Sequence, residues 1–356
     1  MRGLLTIIAL FSLLVALPTA TGAATSTAPR AGTWRLLSAA PVPFTQGQAG
    51  VWTGRRLLLL GRTPLLNPSR DVAASYDPAT NQWTTLKPPP GPDYVPGYTA
   101  VWTGRQGLAF DVFHSVSYTP ATRAWRVLRK AINLGFVAWT GHEAVGWGGG
   151  CCGDAQADGS AYNPATGAYR KLPASPLGAS QHALGAWTGR ELILFISRWN
   201  VDDKLRPAAE ATAAAYDPAT NSWHRLAPLP WRPHGGYAMG TGVWDGHELL
   251  VVGAGPAARS AYAYDPATNR WRTLAPLPAP RVGGIGVWAG TRLILVGGQS
   301  VEATRSLRDG LTYDPHGNHW TRIPAGPLRD LYGATAVWTG RELILTNHGR
   351  TAAYTP

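Results

Sequence analysis

The side chains of this chain best suited to recognition chemistry are arginines. Of its 32 basic residues 28 are Arg, against 20 acidic ones, for a net charge of +12. Arg62, Arg70, Arg198, Arg206, Arg232, Arg259, Arg281, Arg305, Arg308 and Arg329 stand in segments that have no counterpart elsewhere in the chain. A guanidinium is a planar fork of donors that matches a carboxylate or a sulfate, so the set points to an anionic ligand. Trp199, Trp231, Tyr94 and Tyr332 accompany them and could stack on sugar rings, while His114, His182, His234 and His348 offer further polar contacts. The candidate binding residues are Arg70, His114, Arg198, Trp199, Trp231, His234, Arg281, Arg308 and Arg329.

The two cysteines are neighbours, Cys151 and Cys152. In an oxidising compartment they are expected to join in a strained disulfide that tightens their loop. As a metal site the pair is weak, because zinc needs several spaced Cys or His ligands. Carboxylates in the same segments, Asp154, Asp158, Asp202, Asp203, Glu302, Asp309 and Asp330, cannot be paired for acid–base work from spacing alone. No GxxxxGK[ST] phosphate loop, HExxH zinc helix or GxSxG nucleophile elbow occurs. No catalytic residue is nominated, and the sequence requires no cofactor.

These segments need a scaffold, and composition says what kind. Gly and Pro, 42 and 30 residues, make up about a fifth of the chain, which implies many turns, and 45% hydrophobic content with 16 Trp excludes a disordered chain. No run of five like charges and no nucleic-acid motif occurs, so nucleic acid is not an expected partner. At the N-terminus Arg2 precedes an apolar run from Leu4 to Leu17 and then small residues. That run suits a signal peptide and falls short of the ~20 residues of a membrane span. Residues 1–28 are therefore expected to be cleaved on export, leaving 29–356 as one secreted or periplasmic domain, a monomer without a membrane span.

Two marks alternate along that domain in seven regularly spaced copies each. Trp-x-Gly occurs at Trp52, Trp102, Trp139, Trp187, Trp244, Trp288 and Trp338, and Tyr-x-Pro at Tyr76, Tyr118, Tyr162, Tyr216, Tyr264, Tyr313 and Tyr354. Seven residues after each of the first six Tyr stands an aromatic: Trp83, Trp125, Tyr169, Trp223, Trp271 and Trp320. The seventh has none before Pro356, whereas Trp34 has no preceding Tyr-x-Pro, so the N-terminal strand is expected to complete the last unit. Each unit reads as four strands a to d. An x-Gly pair is expected to turn a into b, and an Asp-Pro-Ala-Thr-Asn turn c into d. Seven units of about 46 residues predict an all-β, seven-bladed propeller of four-stranded antiparallel blades.

The double Gly of Gly148-Gly149 and Gly297-Gly298, the Tyr ending strand c and the Trp in strand d resemble the kelch repeat over residues 30–356. Gly61-Arg62, Gly253-Ala254 and Phe195-Ile196 depart from the double Gly, and looser packing is expected there. The resemblance implies that Tyr and Trp serve the core. Two exported relatives of this style, galactose oxidase and a sialic-acid mutarotase, imply an alternative, a carbohydrate-active enzyme, but the copper ligands of the former match no motif here. The leading expectation is a binding module for a glycan or an extracellular protein, using the b–c and d–a loops of one face, where the segments differ from blade to blade.

Overall fold

The computed structural model describes residues 30–42, 44, 46–63, 70–90, 98–111, 114–150, 154–196, 212–231, 240–255, 257–300 and 306–356. They form seven four-stranded antiparallel sheets. Blade 1 consists of Gln46–Trp52, Leu57–Arg62, Asp71–Asp77 and Gln82–Leu86, and blade 2 of Thr99–Trp102, Gly107–Phe110, Ser115–Thr119 and Ala124–Leu128. Blade 3 is Phe136–Trp139, Ala144–Trp147, Gly159–Asn163 and Ala168–Lys171; blade 4 is Ala183–Trp187, Leu192–Ile196, Ala213–Asp217 and Ser222–Arg225. Blade 5 comprises Thr241–Trp244, Leu249–Ala254, Ser260–Asp265 and Arg270–Thr273, and blade 6 Ile285–Trp288, Leu293–Val296, Gly310–Asp314 and His319–Ile323. Blade 7 takes Thr335–Trp338, Leu343–Asn347 and Arg350–Thr355 from the C-terminus and Thr33–Leu36 from the N-terminus. Trp34 pairs with Tyr354, so the chain closes its own ring as the orphaned Trp implied.

The alternation of the sequence is the alternation of burial. Strand b of every blade is apolar and buried, strand d is largely exposed, and strands a touch their neighbours around the ring. Small residues permit that approach: a Cβ on Gly50 would lie 2.5 Å from the Thr335 methyl of the adjacent blade. Hydrophobic clusters fill each junction, blade 7 to blade 1 included, where Leu57 and Tyr76 meet Ile344 and Ala353. Between blades 1 and 2 the filling is incomplete, and a cavity of about 30 Å³ remains against Val51, Leu58 and Gly107.

The repeated aromatics form one device. In each blade the strand-c Tyr lies opposite the strand-d aromatic with ring centres 4.6–5.2 Å apart. The indole N–H then reaches the preceding blade: Trp83 donates to the Ser38 carbonyl at 2.9 Å, Trp320 to Ala275 at 2.8 Å, and Trp34 to Pro324 at 2.9 Å. In the c–d turn Asn81 adopts φ +52°, a left-handed conformation that Asn tolerates well. Its Oδ1 accepts from the Tyr76 hydroxyl at 2.8 Å and from the Ser38 N–H at 3.0 Å. The Trp thus staples every blade but the third to its predecessor, and the Asn adds a second tie in blades 1, 4, 5 and 6.

Two local expectations are corrected. The a–b turn is closed by the Thr53 N–H on the Arg56 carbonyl, so its two-residue loop is Gly54-Arg55, a Gly-x pair and not x-Gly. Gly54 has φ +89°, the sign required at the first central position of a type II′ turn. Blade 4, which lacks the double Gly, is not loosely packed. Phe195 is fully buried and meets Tyr264 and Trp271 edge-on at 4.9 and 5.0 Å, so a large side chain takes up the space.

Candidate functional site

Antiparallel order puts the a–b and c–d turns at one end of each blade and the b–c and d–a loops at the other. The loop end carries the candidate residues, and the structure sorts its arginines into three groups. Arg62 is buried, 3.3 Å from Asp71, its partner across strands b and c of blade 1. The Tyr98 hydroxyl donates to the same carboxylate at 2.7 Å from the edge of blade 2, and burial, then Asp71 itself, pushes the Tyr98 pKa far above its ordinary value. Arg281, only 1% exposed, donates to the Gly297 carbonyl at 2.5 Å and to the Asp309 carboxylate at 3.1 Å. Desolvation holds the Arg281 pKa below its ordinary value, against the opposing pull of Asp309. Arg259 is exposed, but its Nε donates to the Leu277 carbonyl at 3.0 Å. These three side chains pin loops to blades.

The second group is exposed. Arg70 stands on the b–c loop of blade 1, Arg308 on that of blade 6 and Arg329 on the d–a loop between blades 6 and 7. Arg308 accepts the Gly326 N–H at 2.9 Å through its carbonyl, which aligns the last two loops. Tyr332 follows three residues after Arg329 and is 77% exposed, an unusual setting for so large an aromatic. Beneath it the loop is rigid. Asn347 donates to the Asp330 and Tyr332 carbonyls at 3.0 and 3.2 Å, Gln48 donates to the Gly333 and Thr346 carbonyls, and His348 lies 3.6 Å from Asp330. The blade 6–7 sector therefore presents one forked cation and an aromatic plate on an anchored d–a loop, and a second cation, Arg308, on the b–c loop bonded to it.

A third group, Arg198, Arg206, Arg232 and Arg305, lies outside the described residues, as do Trp199, His234, Tyr94, Cys151 and Cys152. Trp231 and His114 are placed inside. The Trp231 ring stacks on Tyr262 at 4.7 Å with 11° between planes, and the His114 Nε2 is 2.6 Å from the Pro90 carbonyl. Residues that pattern reading passed over, Tyr98 and Asp71, could have been sought as the partners that a buried Arg62 requires.

The described residues contain no group of three or more His, Cys, Asp or Glu able to hold a metal ion. No helix among them is long and apolar enough to cross a membrane. No protein-family model matches the chain, and neither does any curated protein. Among solved structures it is similar to a fungal alcohol oxidase of the AA5 family determined in complex with copper. Identity is 15% over 92% of this chain and 77% of that one, with a TM-score of 0.69. The fold is a seven-bladed kelch-type β-propeller. At that identity the likeness concerns architecture, and the oxidase chemistry belongs to the other protein.

Proposed function

We propose that the protein is exported and acts as a binding module that recognises an anionic glycan, or an acidic surface of an extracellular protein, through its b–c and d–a loops. The observation that carries this reading is the exposed Arg329 and Tyr332 on a d–a loop held by Asn347 and Gln48, with Arg308 exposed on the b–c loop of blade 6 that Gly326 joins to it. Guanidinium forks would take the carboxylate or sulfate, and the phenol ring would take the sugar face. Arg70 extends the same face on blade 1. The buried Arg62 and Arg281 would serve by fixing loop shape, which lowers the ordering cost of binding.

The test is thermal unfolding of the mature chain with matched neutral and acidic sugars at physiological salt. Ligand at a hundred times its Kd adds about 2.7 kcal/mol to stability. Acidic sugars should raise the midpoint, and Arg308→Ala with Arg329→Ala should abolish the rise while leaving the free midpoint within a degree or two. Equal shifts with neutral sugars, or a shift that survives both substitutions, would defeat the assignment.

A further inference from the structure

We infer a second anion site on the outer rim, where strand d of blade 2 meets the c–d turn of blade 3, separate from the loop face above. It rests on a comparison of one repeated position around the ring. The residue after the strand-d aromatic is Arg35, Arg170 and Arg272 in blades 7, 3 and 5. Each meets the Glu that ends its own a–b turn: Arg35 with Glu342 at 2.5 Å, Arg170 with Glu143 at 2.6 Å, Arg272 with Glu248 at 2.5 Å. His224 in blade 4 faces Glu191 at 3.9 Å, while blades 1 and 6 have Thr84 and Thr321 there and no such Glu. Blade 2 alone keeps the cation, Arg126, and has Gln106 where the Glu should be.

The next blade withdraws a second acceptor. Arg170 also donates to the Tyr216 hydroxyl at 2.8 Å and to the Asn221 Oδ1 at 3.1 Å in blade 4. For Arg126 the equivalent residues of blade 3 are Tyr162 and Gly167, so the Asn oxygen is missing. Elsewhere that Asn oxygen also serves the preceding blade: Asn81, Asn269 and Asn318 accept from the Ser38, Ala227 and Ala275 N–H groups. Blade 3 further replaces the Trp of strand d by Tyr169, whose hydroxyl donates to the Lys130 carbonyl. A smaller ring and an absent side chain open a pocket of about 280 Å³ lined by Arg126, Arg129, Tyr162, Thr166, Gly167 and Tyr169.

Among the described residues no carboxylate pairs with Arg126 or Arg129, and none lines the pocket. Arg126 and Arg129 border a space of monosaccharide size beside the packed Tyr162–Tyr169 ring pair, with Thr166 and Gly167 on its wall. In blade 3 the corresponding arginine is satisfied by carboxylate and amide oxygens of the protein. In blade 2 a ligand would supply them, and the chemistry fits an oxyanion, carboxylate or sulfate, carried on a sugar-sized ring.

The proposal is tested by calorimetric titration of the full mature chain at low salt, in the Arg308→Ala/Arg329→Ala background so that the loop face does not contribute. Glucuronate should bind saturably, inorganic sulfate should compete, and glucose should not bind. Gln106→Glu supplies Arg126 with the partner seen in blades 3, 5 and 7, and Gly167→Asn restores the side chain of blades 1, 4, 5 and 6. Gly167 has φ +73° and open space around its Cβ position, so Asn fits there. Each change should weaken glucuronate by about tenfold or more while the unfolding temperature stays constant or rises. Glucose binding as well as glucuronate, affinity unaltered by Gln106→Glu, or no saturable binding at all would overturn the site.

Discussion

Closure of the ring by the N-terminal strand makes Trp34 the most informative residue to perturb. Its ring packs on Tyr354 at 5.1 Å and lies across Gly326, where an added Cβ would stand 3.3 Å from the indole. Its N–H donates to Pro324 at 2.9 Å, tying blade 7 to blade 6. The side chain is part exposed, so roughly 100 Å² of apolar surface is covered, about 2.5 kcal/mol. The hydrogen bond adds about 1 kcal/mol and the ring pair about 0.5–1. Trp34→Ala should therefore cost about 4 kcal/mol, and Trp34→Phe, which keeps most of the packing, about 1–1.5. Urea unfolding followed by tryptophan fluorescence and by circular dichroism measures both. Trp320→Ala, with the same geometry inside blade 6, should match Trp34→Ala within about 1 kcal/mol, since the closing strand does the same job as a covalently continuous one. A cost below about 1 kcal/mol for Trp34→Ala, against a full cost for Trp320→Ala, would show that the N-terminal strand is not the clasp.

Other outcomes follow from single sites. Gly107→Ala should stabilise by about 0.5–1 kcal/mol, because the new methyl would stand at ordinary contact, 3.6 Å from Val51, beside the cavity between blades 1 and 2; a lower melting temperature would contradict this. Gly146→Ala would put a Cβ 2.0 Å from the Asn133 carbonyl oxygen and should abolish soluble expression, whereas Gly54→Ala, strained at φ +89° but in open space, should cost only about 1 kcal/mol. Tyr98→Phe removes a donor from the buried Asp71 and should cost about 1–3 kcal/mol, read as a shift in denaturant midpoint. Burial, the largest cause, raises the pKa of Tyr76 and of Tyr169 to about 12 from an ordinary 10. The neutral phenols are thus favoured in the folded state, and their contribution is whole below pH 10 and lost as pH rises through 12. Tyrosinate absorbance should rise together with loss of circular dichroism in that window; ionisation near 10 in the intact fold would refute the burial argument.

The alternating Trp-x-Gly and Tyr-x-Pro marks by themselves determined seven blades, their order and the closing strand. Each mark answers a local demand that does not depend on distant residues: a positive φ in a hairpin, or a flat ring opposite another across two hydrogen-bonded strands. What the repeat could not determine was which non-repeating side chains reach solvent. Arg62, Arg281, Arg308 and Arg329 look alike along the chain, yet the first two are buried against Asp71 and Asp309 and the last two are exposed. Burial of a guanidinium is decided by whether a carboxylate and carbonyls from other segments close over it, and those are brought together only when loops of adjacent blades pack. The rim pocket shows the same division. Gln106, Gly167 and Tyr169 are each visible as departures from the repeat, but Gln106 lies far from the other two in sequence. Only the curl of the ring sets blade 2 against blade 3, so that three small omissions open onto one arginine.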